Sequence, residues 1–87
     1  MDDTDWLRSI ENVCEGSTSD DLEAAKSILA YGDTLPTDVA ESAPIQRLVQ
    51  LGVLELKREP GTDGYKYRKI VLGRTDDGHL VRFPLGS

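Results

Sequence analysis

The stretch Leu48-Val49-Gln50-Leu51-Gly52-Val53-Leu54-Glu55-Leu56 decides how this 87-residue chain folds. Up to Leu51 the apolar residues recur at helical spacing. After Gly52 they alternate, so that Leu54 and Leu56 fall on one face of an extended segment. A glycine at that junction bends the chain sharply and lets both apolar stretches reach one core. Toward the N-terminus, Ile45, Leu48, Val49 and Leu51 form the buried stripe of a helix that Ser42 caps. Pro44 is tolerated in its first turn, where the missing N–H has no partner anyway. The opposite face carries Ala43, Gln46, Arg47 and Gln50, all pointing the same way. Toward the C-terminus, residues 53–58 read as a strand, 59–64 as a turn-rich loop and 65–72 as the returning strand of a hairpin. Asp77-Gly78 signals a further turn, after which residues 79–83 would add a third antiparallel strand before Pro84.

The N-terminal half reads as helices. Trp6, Leu7, Ile10, Val13 and Cys14 lie on one stripe of a helix from Asp5 to about Cys14, with Asp2, Asp3 and Asp5 at its positive end. Gly16 ends it. Thr18 or Ser19 caps a second helix with Asp20, Asp21 and Glu23 in its first turn. Leu22, Ala25, Ile28 and Leu29 form its inward stripe, and Gly32 suits a left-handed cap. Residues 33–36 read as a connector with Leu35 inward, and 37–41 as a short third helix. The expected fold is α+β: three to four helices followed by a β-hairpin or three-stranded meander. It would form one domain over residues 1–84, with 85–87 a frayed tail.

Composition narrows the function classes. The chain is 38% hydrophobic and 30% charged, ordinary for a globule and too apolar for a disordered chain. No apolar run approaches the roughly 20 residues of a membrane helix. The acidic start is the opposite of a secretory signal. The single cysteine, Cys14, cannot form an internal disulfide, and with one histidine no Cys/His zinc site can assemble within one chain. A reducing, cytoplasmic setting and a fold held by packing alone, without metal or cofactor, are therefore expected. Charge is divided: residues 1–43 carry a net −9 and residues 44–87 a net +3. The excess of Asp over Glu and of Arg over Lys also fits a salt-adapted surface.

From residue 29 to 72 the chain resembles a winged helix-turn-helix domain. Leu35-Pro36-Thr37-Asp38-Val39-Ala40-Glu41 is similar to the first helix of the motif and Pro44-Ile45-Gln46-Arg47-Leu48-Val49-Gln50-Leu51 to the recognition helix. Gly52-Val53-Leu54-Glu55-Leu56 is similar to the entry into the wing. The resemblance implies a helix in the DNA major groove and a wing against the neighbouring backbone. Gln46, Arg47 and Gln50 would then read bases, since Arg can fork onto guanine and Gln onto adenine. Lys57, Arg58, Lys66, Arg68 and Lys69 would meet phosphates. The Ser42 end of the helix would offer N–H groups to an anion.

Each of these features also has a purely structural use. A polar helix face can simply be solvated, and edge strands carry Lys and Arg to prevent pairing with other chains. Tyr65 and Tyr67, with Trp6 and Phe83, could stack on single-stranded nucleic acid but suit a small core better. Cys14, on an apolar stripe, reads as a buried thiol. His79 beside Asp76 and Asp77 reads as part of a turn rather than a metal ligand.

No catalytic constellation or Gly-rich phosphate loop is present, which argues against an enzyme. Two functions remain. One is a small DNA-binding transcriptional regulator, with a possible homodimer contact through Trp6, Leu7 and Ile10. The other is a protein-binding winged helix whose acidic half docks a basic partner or imitates DNA.

Overall fold

The computed structural model describes residues 2–32, 34–58, 60–61 and 63–85. The first helix, α1 (Asp3–Asn12), starts where the Asp2 carboxylate accepts the Asp5 N–H and the Asp5 carboxylate accepts the Asp2 N–H, both at 3.1 Å. This reciprocal cap moves the start upstream of Asp5. The second, α2 (Ser19–Ile28), repeats the device with Thr18 and Asp21. Trp6 and Ile10 are fully buried, and the Trp6 indole N–H donates to the Val53 carbonyl at 2.8 Å. They anchor α1 to the corner where helix turns into strand, so they cannot provide the dimer contact expected of them.

Past α2 the chain tightens into a 3₁₀ turn, Leu29–Tyr31, and Gly32 takes φ 67°, ψ −127°, which is not the left-handed helical cap expected. Thr34–Pro36, read from sequence as a connector, is a strand, β1. Then come α3 (Thr37–Ala40), α4 (Ala43–Gln50), β2 (Leu54–Arg58), β3 (Gly64–Arg74) and β4 (Leu80–Pro84). Between α4 and β2, Gly52 has φ +82°, a conformation other residues adopt only with strain. Its neighbours Leu48 and Val53 are both fully buried, so the sharp bend delivers helix and strand to the same core.

The sheet is antiparallel, in the order β1-β3-β2, with β4 pairing the later half of β3. The Ile70 N–H donates to the Val53 carbonyl at 2.9 Å, whereas the neighbouring Lys69 carbonyl accepts the Leu85 N–H at 2.7 Å. Successive residues of a strand direct their backbone groups to opposite edges. So β4 continues the edge that β1 begins, and β2 holds the other. Pro36 is opposite Gly64, on an edge strand where the absent N–H costs least. A Cβ at Gly64 would lie 2.5 Å from the Leu35 carbonyl oxygen, so only glycine allows β1 this close.

Trp6, Ile10, Ile28, Leu35, Leu48 and Val53 form the fully buried centre between the helices and the sheet. Leu85, expected in the frayed tail, is half-buried against this core; residues 86 and 87 lie outside the described residues. Among the described residues no helix is long and apolar enough to cross a membrane.

Candidate nucleic-acid interface

Residues directly opposite each other in an antiparallel pair point to the same face. Leu54 opposite Lys69, Leu56 opposite Tyr67 and Arg58 opposite Tyr65 therefore share the face toward the helices. Glu55 opposite Arg68 and Lys57 opposite Lys66 share the solvent face. The second of these places two cations side by side on the solvent face of the hairpin. Toward the tip of the hairpin, the Arg58 guanidinium stands 6.0 Å over the Tyr65 ring, and the Tyr65 hydroxyl donates to Glu41 Oε1 at 3.1 Å.

Lys69 does not join these cations. Its ammonium donates to Asp3 Oδ1 at 2.8 Å and lies 6.0 Å over Trp6 and 5.7 Å over Tyr67, with the side chain only 17% exposed. It fastens α1 to β3 and is withdrawn from any phosphate surface. Tyr67 is also buried, its hydroxyl donating to the Ile28 carbonyl at 3.1 Å and to that of Gly32. That position rules it out as a stacking platform.

On α4, Ile45 and Leu48 are buried and Gln46, Arg47 and Gln50 are exposed, as the helical period requires. Exposure does not leave them all available. The Arg47 Nε donates to Asp21 Oδ1 and Oδ2 at 2.8 and 3.0 Å, and its Nη2 donates to the Gly16 carbonyl at 2.7 Å. The Gln46 amide donates to the Ala40 carbonyl at 2.8 Å. Ser42 occupies the cap position, but its hydroxyl donates to the Val39 carbonyl at 2.6 Å and leaves α4 without a side-chain cap. Gln50 is the candidate base reader with no such tie among the described residues.

Asp21 is the residue sequence reasoning missed. Its place in the first turn of α2 suggested a surface acid, yet it is 3% exposed. Burial pushes its carboxyl pKa up, but the Thr18 N–H bond and the Arg47 guanidinium outweigh this and hold it below the usual carboxylate value. The Thr18-x-x-Asp21 spacing signals the cap; nothing local signals a partner 26 residues away.

Cys14 is half-buried rather than enclosed. Burial and then the Asp21 carboxylate raise its thiol pKa against the pull of Arg47, which disfavours the reactive thiolate. In the last turn, the Thr75 hydroxyl and His79 N–H hold the Asp77 carboxyl below its ordinary value, and His79 Nδ1 lies 3.3 Å from Asp77 Oδ2. Among the described residues no three His, Cys, Asp or Glu side chains converge as a metal cluster.

No family model matches the chain, and no curated protein or solved structure shows significant similarity to it.

Proposed function

We propose that this chain is a winged helix-turn-helix domain that binds duplex DNA as a small transcriptional regulator, led by its wing. The order of elements supports the fold: α3 and α4 run directly into a hairpin that returns against them through Gly52. The observation that carries the function is the solvent face of β2 and β3, where, among the described residues, Lys57, Lys66 and Arg68 outnumber the one acid, Glu55. Phosphates following that face would meet Lys57 and Arg68.

Base reading is weaker than the sequence implies. Arg47 and Gln46 are engaged within the domain, which leaves Gln50 as the principal reader on α4. Backbone contacts fix register without specifying sequence. Modest sequence preference on top of salt-sensitive affinity is therefore expected. A selection of bound duplexes from a random pool tests this: Gln50→Ala should flatten what preference there is, whereas Arg68→Ala should weaken all sequences alike. Enrichment of one tight consensus that depends on Arg47 would contradict the wing-led reading.

A further inference from the structure

Between them, α2, α3 and the start of α4 enclose a groove of about 800 Å³. Its floor is apolar, formed by Ala24, Val39, Ala43 and Pro44. Its rim is acidic: Asp20 and Glu23 come from α2 and Asp38 from α3. Asp21 also lines it but is neutralised by Arg47. Asp20, Glu23 and Asp38 are exposed, and none has an ion-pair partner among the described residues. Apolar floor and acidic rim thus occur together on three elements. A merely solvated acidic face would not need an open apolar floor beneath it, and a phosphate backbone would be repelled by the rim.

We propose that this groove docks a basic amphipathic helix of a protein partner. Small apolar side chains of that helix would rest on Ala24, Val39 and Pro44, while its Lys or Arg side chains reach Asp20, Glu23 and Asp38. The occupant is a helix because every element lining the groove is helical. Such walls offer no sheet edge, so the bound segment must satisfy its own backbone hydrogen bonds. The ten residues of α2 run about 15 Å, which matches roughly three turns of partner helix. The docking is independent of DNA binding by the wing.

The test uses the full chain, isotopically labelled, titrated with a synthetic helical peptide carrying a Leu/Ala stripe and Lys elsewhere, beside a scrambled peptide of the same composition. The amphipathic peptide should shift amides of residues 20–27 and 38–47 and leave the wing unmoved. The scrambled one should bind at least about tenfold more weakly. The double variant Glu23→Lys/Asp38→Lys, altered at exposed positions, should lose affinity by a similar factor with its remaining spectrum intact. Ala43→Gln, which fills the floor at constant charge, should do the same. Equal binding of both peptides, an unchanged affinity in either variant, or perturbation centred on the wing would overturn the proposal. It would equally be overturned if duplex DNA, or self-association of the chain at rising concentration, moved these same amides.

Discussion

Replacing Asp21 by Asn would keep the side-chain volume and remove the charge that the Thr18 cap and Arg47 share. Hydrogen bonds to charged groups contribute about 1.5–3 kcal/mol, and Arg47 is half-exposed, so a loss toward the lower end is expected. Urea unfolding should show a lower midpoint at an unchanged slope. The pH dependence has a definite sign. The folded carboxyl titrates below its unfolded value of about 3.9, so its contribution is complete well above that pH and is lost as pH falls through the folded value. The gap between wild type and Asp21→Asn should therefore narrow in acid. Trp6→Phe is a milder case. It removes the indole N–H, but the Val53 carbonyl still accepts from Ile70, so no acceptor is orphaned. A loss of about 1 kcal/mol beyond the change in buried area is expected by the same measurement.

Among the elements, the hairpin carries the forecast for binding: Lys57→Glu reverses an exposed cation on the face that it shares with Arg68. That change should weaken duplex binding. Gly64→Ala should cost about 1–3 kcal/mol, because its Cβ meets the Leu35 backbone oxygen, which cannot move aside without parting β1 from β3. Faster amide exchange along β1 would report that parting.

These elements also mark what the sequence could tell. The two N-terminal helices, α4 and the hairpin were legible because apolar residues repeat with the period of helix or strand. β1 was not, since three residues including Pro36 carry no period and their extended state is imposed by β3. Lys69 was legible in principle: it shares parity with Tyr65 and Tyr67, and Leu54 opposite it is buried. Grouping it with the other hairpin cations by charge alone concealed this. The Asp21–Arg47 pair was not legible, because it exists only once α2 and α4 pack.

Across the whole molecule, the division of charge along the sequence becomes in part a division in space, with Arg8 and Lys26 on the acidic side and Glu55 among the hairpin cations. The acids of the N-terminal half cap α1 and α2, restrain Lys69 and Arg47, and rim the α2–α4 groove. Of the exposed cations, Lys57, Arg58, Lys66 and Arg68 lie on the hairpin and Arg8, Lys26 and Arg82 on α1, α2 and β4, in a molecule extending 44 × 27 × 19 Å. The hairpin face can meet a polyanion while the acidic side is held away from it, since screening limits repulsion beyond about 8 Å at physiological salt. The net charge of −6 therefore does not forbid DNA binding, but it does make the affinity depend on where the cations lie.

The most direct measurement is fluorescence anisotropy of a labelled random-sequence duplex, titrated at several salt concentrations with wild type and with Lys57→Glu/Lys66→Glu. Wild type should bind at ~50 mM salt with a log–log slope of about −0.9 per phosphate contacted. The double variant should bind more weakly, with a slope shallower by about 1–2 units. No duplex binding by wild type at that salt, or identical affinity and slope in the two proteins, would contradict the wing-led account.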